Sequence, residues 1–200
     1  MKLRNTYTSA AGSVVLATIV ATSLATADAA TTAEAPANPE LIELLSGVDY
    51  VPPENDLLAV ATEQEIIDIA VDINGDTGRR IRAYRALGHF RSPETKTLLI
   101  NEMVAHANDS TGIETLYCRA AMSALADVAT ENDADAVLAI ATRLDHASRD
   151  VRVAAAQALA KIGSQIALAP LYQRLEIENV TQVQLAISDA IRRLLGVTSE

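Results

Sequence analysis

The stretch Asp72-Ile73-Asn74-Gly75-Asp76-Thr77-Gly78 puts oxygen-bearing side chains at alternate positions, as the start of a calcium loop does. Such a loop needs glycine after the third ligand and a carboxylate at the twelfth position. Here those positions hold Thr77 and Ala83, so the closing ligand is missing. The same residues make a helix boundary, with Asn74-Gly75 ending one helix and Asp76 capping the next, and this is the reading adopted. The three histidines, His89, His106 and His146, form no His-x-x-x-His pair and no His-Glu pair. His89 stands in no triad-like relation to Ser92 or Ser123, which fall at a cap and on a helix face. Cys118 is the single cysteine. It rules out an internal disulfide and, in its apolar surroundings, reads as an inert buried thiol. Glu65, Asp68 and Asp72 form a carboxylate stripe at helical spacing that would suit a cation or a basic partner, but also suits the solvated face of an amphipathic helix, the reading preferred. No catalytic, metal-binding or cofactor-binding residue is assigned, and no cofactor is expected.

The elements that must carry these side chains are helical. Half of the 200 residues are hydrophobic, yet there is one Phe, five Tyr and no Trp. Alanine, leucine, isoleucine and valine therefore supply the burial, which suits closely stacked helices and one continuous core. Lys2 and Arg4, the apolar run from Val14 to Ala21, and Ala27-Asp28-Ala29 have the order of an export signal cut after Ala29. A retained membrane anchor is the rival, weakened by the serines and threonines between residues 9 and 26. The mature chain would then run from residue 30 with net charge −11, in the periplasm or outside the cell, with no stable membrane insertion. That charge argues against holding nucleic acid or an anionic membrane surface. Residues 30–40 read as a flexible linker and 41–75 as an N-terminal helical cap. Within the cap, a short helix over 39–46 follows Asn38-Pro39, Tyr50-Val51-Pro52-Pro53 is an extended connector, and Leu57-Leu58-Ala59-Val60 is a short apolar segment. A capping box, Thr62 to Glu65, opens a helix to about Asn74 that buries Ile66, Ile69, Ala70 and Ile73.

From Asp76 onward the chain repeats. Aligning Ala86-Leu87, Ala124-Leu125, Ala158-Leu159 and Ala190-Ile191 gives spacings of 38, 34 and 32 residues. Three positions earlier stand Ala83, Ala121, Ala155 and Ile187, a mostly small column that lets helices approach. Six positions earlier stand Arg80, Cys118, Arg152 and Gln184. A second helix follows each of the first three copies: Ser92-Pro93 to about Ala107, Asp133 to about Leu144, and Gln165 to about Leu175. These align Leu99, Ile140 and Leu171, then Met103, Leu144 and Leu175. Neither helix of a pair can hide its apolar face alone, and stacking the pairs solves this. The chain ends in the equivalent of a first helix, Val183 to Leu195, with no second helix behind it. A partner would cover that end, or Arg192-Arg193 would keep it soluble.

Asp150-Val151-Arg152, Ala154-Ala155, Ala158 to Gly163 and then Ala169-Pro170-Leu171 resemble HEAT repeats of the short type found in the phycobilisome-lyase HEAT-like family. The first copy resembles it in Arg79 to Ala83 and Ala86-Leu87-Gly88. The second departs, with Cys118 for arginine and Ala126 for glycine. The resemblance covers about 62–196 and implies an all-α, HEAT-like α-solenoid of three to four helix pairs over 76–200, behind its N-terminal cap. It says little about chemistry, because such repeats host scaffolds, adaptors and a few enzymes. HEAT-repeat metal hydroxylases depend on repeated His-Glu pairs that are missing here.

The resemblance implies that second helices line the concave side. Aligned positions there are Asn101, Thr142 and Gln173, then Glu102, Arg143 and Arg174, a polar ladder expected to hold a protein partner. Residues 5–78 contain no Lys or Arg, whereas Arg79, Arg80, Arg82, Arg85, Arg91 and Lys96 crowd the next positions. The expectation is an acidic N-terminal part docked on a basic first repeat; a patch for an anionic ligand is the lesser reading. Asn108-Asp109-Ser110 and Asn179-Val180-Thr181 match glycosylation sequons and read as turn and cap residues. The function expected is a non-enzymatic binding or scaffold module of the envelope. The alternative is a lyase or isomerase of the bilin-lyase type.

Overall fold

The computed structural model describes residues 38–47, 52–106 and 112–196. The expected signal segment, residues 30–37 of the linker, Tyr50-Val51 and the Asn108-Asp109-Ser110 sequon lie outside the described residues. Among those described, every regular element is a helix: α1 (Pro39–Leu44), α2 (Glu54–Val60), α3 (Glu63–Val71), α4 (Thr77–Ala86), α5 (Pro93–Ala105), α6 (Ile113–Val128), α7 (Ala134–Ala141), α8 (Arg149–Ile162), α9 (Leu168–Ile177) and α10 (Thr181–Leu194).

Local chemistry sets the boundaries. Asn38 accepts the Leu41 N–H at 3.1 Å to start α1, and its amide donates to the Val60 carbonyl at 2.7 Å and to Glu65 at 3.1 Å. One residue thus caps a helix and ties it to the corner between α2 and α3. Thr62 and Glu65 form the expected capping box. Asp76 accepts the Arg79 N–H at 2.8 Å and Ser92 the Thr95 N–H at 3.0 Å, opening α4 and α5. Gly163 closes α8 at φ 81°, where its N–H meets the Leu159 carbonyl, a conformation that only glycine adopts without strain.

In the cap the structure adds one helix to the reading and corrects the end of another. The segment around Leu57 is a full helix, α2, whose first turn after Pro53 carries Glu54 and Asp56 at the positive helix end. α3 stops at Val71 because the Asp72 side chain accepts the Asn74 N–H and turns the chain, leaving Ile73 81% exposed rather than buried. The face that α3 buries is Ile66, Ile67 and Ala70.

The first helices α4, α6, α8 and α10 lie side by side in one layer. Ala83, Ala121, Ala155 and Ile187 are fully buried in it. At the end of α4 a side chain on Gly88 would come within 3.3 Å of the Ala124 Cα, so glycine is what admits that approach. The second layer holds α5, α7 and α9, with Leu99, Ile140 and Leu171 fully buried beneath it.

Each second helix packs on the first helix of the following copy: α5 on α6, α7 on α8, α9 on α10. α3 packs on α4 in the same way. The structural units are therefore α3–α4, α5–α6, α7–α8 and α9–α10, four helix pairs set one helix out of step with the sequence frame. This corrects the expectation that the last first helix lacks a mate. α10 buries Val183, Ile187, Ala190, Ile191 and Leu194, and its outer face carries Asp189 paired with Arg192 at 2.7 Å and Arg193 at 2.8 Å.

Candidate interaction surface and the joints behind it

The aligned column of Arg80, Cys118, Arg152 and Gln184 lies where the two helices of a unit are tied together. Arg80 Nε donates to the Ala70 carbonyl at 3.1 Å, in the last turn of α3. Arg152 Nη1 donates to the carbonyls of His146 at 2.9 Å and Ala147 at 3.0 Å, in the turn between the 3-10 segment Thr142–Asp145 and α8. Gln184 Nε2 donates to the Glu178 carbonyl at 2.6 Å, just past α9. In each case a side chain from a first helix donates to carbonyls at or beyond the end of the helix before it in the same unit, where no intrahelical N–H is available. Between units, Arg143 Nη1, just past α7, donates to the Met103 carbonyl of α5 at 3.0 Å.

The strongest joint is centred on Glu178, only 5% exposed. Its carboxylate accepts from Arg152 Nε at 2.8 Å and Nη2 at 3.1 Å, a two-point pairing, and from Arg174 Nε at 3.0 Å and Nη2 at 2.7 Å. The N–H groups of Asn179 and Val180 add bonds at 3.1 and 3.0 Å. Arg174 continues to Asp145 at 3.1 Å. Burial alone would raise the Glu178 pKa, but hydrogen bonds from Arg152 and Arg174 outweigh it and hold the carboxyl at about 2. A lesser joint uses Lys96, which pairs with Asp133 at 2.9 Å. Asp133 also accepts the Thr130 N–H at 2.7 Å, and its carboxyl falls to about 2, chiefly through that backbone bond.

These joints correct the expected polar ladder. Asn101, Thr142 and Gln173 are exposed as read. Arg143 is not: α7 ends at Ala141, the chain tightens into a 3-10 turn over Thr142–Asp145, and the guanidinium swings inward to 9% exposure. Arg174 is spent on Glu178 and Asp145. Glu102 is mostly covered, accepting the Tyr84 hydroxyl at 2.8 Å and standing 3.2 Å from His106 Nε2, four residues along α5. That His-Glu contact went unread because the two are not adjacent in sequence. Around it, His106 stacks on Tyr117 at 5.8 Å, Tyr84 meets Tyr117 edge-on at 6.0 Å, and Arg80 lies 4.7 Å over the Tyr117 ring. Burial, then the Glu102 hydrogen bond, push the Tyr84 phenol well above its ordinary pKa, so it serves as a donor at neutral pH. The helix-spacing signal, Glu102 to His106, was present in the sequence.

The N-terminal helices do meet the first basic repeat, but through carbonyls and hydroxyls. Arg82 Nε donates to the Leu45 carbonyl, and Glu63 accepts from the hydroxyls of Ser92 and Thr95, the latter at 2.6 Å. His146 is buried, its Nδ1 accepting the Ser148 N–H at 3.0 Å. Cys118 is fully buried in α6. Among the described residues no three His, Cys, Asp or Glu side chains are grouped to hold a metal ion, and no helix is long and apolar enough to cross a membrane.

The outer face of the first helices carries a groove that was not anticipated. Two adjoining depressions, of about 550 and 560 Å³, share Arg85 and Ser123. Ala120, Ala154 and Ala158 make a low floor across α6 and α8, with Ile81 and Leu116 at one side. Arg119 and Lys161 stand on the first depression, His89 and Arg91 on the second. The sequence signal was the small residues on the side of α6 and α8 facing away from the second helices.

Residues 151–176 match the family model of the PBS lyase HEAT-like repeat, a span that runs from α8 through most of α9. The chain is a HEAT-like repeat protein with an all-α solenoid fold. No curated protein matches it, and no solved structure matches it.

Proposed function

We propose that this chain is a non-enzymatic interaction or scaffold module of the cell envelope, presenting its stacked helices to a protein partner. The observation that carries this is the set of joints between units. The charged groups on Arg152, Arg174 and Glu178 fix one helix pair to the next, so the exposed surface is held in place before a partner arrives. A preorganised surface loses little conformational freedom on binding, which leaves more of the contact energy for affinity. The envelope location rests on the export-like order of residues 1–29.

The bilin-lyase reading is retained because the matching family model bears a lyase name. Co-expression of the full chain with a bilin and a candidate acceptor protein separates the two. The interaction reading expects no covalent coloured adduct beyond that formed without the chain, and expects the chain to be recovered with a protein in fixed ratio. An adduct that depends on the chain would overturn it.

A further inference from the structure

The groove on the outer face of the first helices has a charge character opposite to that of the chain. The protein carries a net charge of −10. Yet Arg85 and Arg119 stand over one depression and Arg85 and Arg91 over the other. All three are exposed, and among the described residues none of the three is engaged in an ion pair or hydrogen bond. On the second-helix side the cations are already committed: Lys96 to Asp133, Arg143 to the Met103 carbonyl, Arg174 to Glu178. Within the groove, Lys161 is held by Asp127, and Glu54 is the other acid on its wall.

We propose that this groove receives an acidic, partly apolar segment of a protein partner, its carboxylates meeting Arg85, Arg91 and Arg119 and its apolar side chains lying on the alanine floor. The proposal deepens, and rests on, the reading of the chain as an interaction module. Three facts select this occupant. Uncommitted arginines offer planar, two-point pairing to carboxylates. The floor of Ala120, Ala154 and Ala158, flanked by Ile81 and Leu116, is apolar and low, so a helix or extended strand of backbone can approach it closely. A protein segment supplies both features together. A nucleic acid carries one charge per phosphate along its whole length and would meet the repulsion of an acidic chain outside the groove. The charges would set the speed and selectivity of encounter, and the floor would supply burial.

The test places a photo-crosslinking amino acid at Ser123, which lies where the two depressions meet, and separately at Gln173 on the second-helix face, each in the full chain expressed in its source cells. The linked peptides are then identified by mass spectrometry. The expected result is a crosslink from Ser123 to a segment rich in Asp or Glu. Its yield should fall about tenfold or more in R85E/R119E, whose substitutions lie on exposed positions and leave the melting curve unchanged. A crosslink from Ser123 to a basic or uncharged segment, to nucleic acid or to the chain itself would overturn the groove assignment. So would a crosslink obtained from Gln173 alone, although the interaction reading would survive it. Absence of a crosslink at both positions would overturn both.

Discussion

Replacing Glu178 by alanine should destabilise the protein by about 3–5 kcal/mol, the cost of breaking a buried ion pair from one side. At roughly 2–4 °C per kcal/mol for a chain of this size, the melting temperature should fall by about 6 to 20 °C. The loss is large because Glu178 is the common acceptor for two guanidinium groups and two backbone N–H groups, and Arg152 would stay buried at 7% exposure with its Nε unpaired. E178Q should cost less, since an amide oxygen still accepts one of these donors. The double variant R152M/E178L should be more stable than E178A, because no guanidinium is left stranded at position 152 and Arg174 keeps Asp145. The pH dependence follows from the direction of the shift. Glu178 is lowered in the folded protein from 4.5 to about 2, so the unfolded chain takes up a proton first as pH falls. The stabilisation is complete above the unfolded value and is lost as pH drops through about 2. Urea midpoints measured from pH 6 to 2.5 should therefore fall below pH 4.5 in the wild type, and less steeply in E178Q. An E178A midpoint equal to the wild type would mean that the joint contributes nothing.

The second large effect concerns the column where first helices touch. Ala155→Leu should lose about 1–3 kcal/mol, even though leucine is more hydrophobic and forms helix well. Ala155 is fully buried, with α8 packed against both α6 and α10, so added methylenes must push helices apart. At the aligned position of the last helix the expectation reverses. Ile187 fills that space from α10 and is also fully buried, so Ile187→Ala opens a cavity and should cost about 2–5 kcal/mol. Chemical denaturation of the two variants checks both. Stabilisation by the leucine would show that alanine is not what sets the helix spacing.

The repeat columns were legible in the sequence because apolar periodicity and recurring small residues are local signals. Ala83, Ala121 and Ala155, and Leu99, Ile140 and Leu171, are buried as read. Which helix each one faces was not legible. An alignment shows what recurs, not which neighbour it packs against, so the step that pairs α9 with α10 emerged only in three dimensions. Arg143 was placed by ideal helical spacing, and the 3-10 turn that rotates it inward depends on contact with Met103, forty residues earlier. Glu178 left a fainter trace: Arg152, a charge inside an alanine-rich core stretch, demands an acid somewhere, but nothing local names which. The groove was missed for a related reason: the repeat columns drew attention to Ala121 and Ala155, whereas their neighbours Ala120 and Ala154 face the other way and make the low floor.

The idea beneath the function is that the joints make units from α3 to α10 behave as one rigid support. Native-state amide hydrogen exchange, followed peptide by peptide across α6, α8 and α10, measures this directly. If the joints bind the units together, these three helices lose protection with the same free energy in the wild-type protein, and α10 alone opens early in E178A. If α10 already opens early and independently in the wild type, the stacked helices are not a preorganised surface and the proposed mode of binding is contradicted.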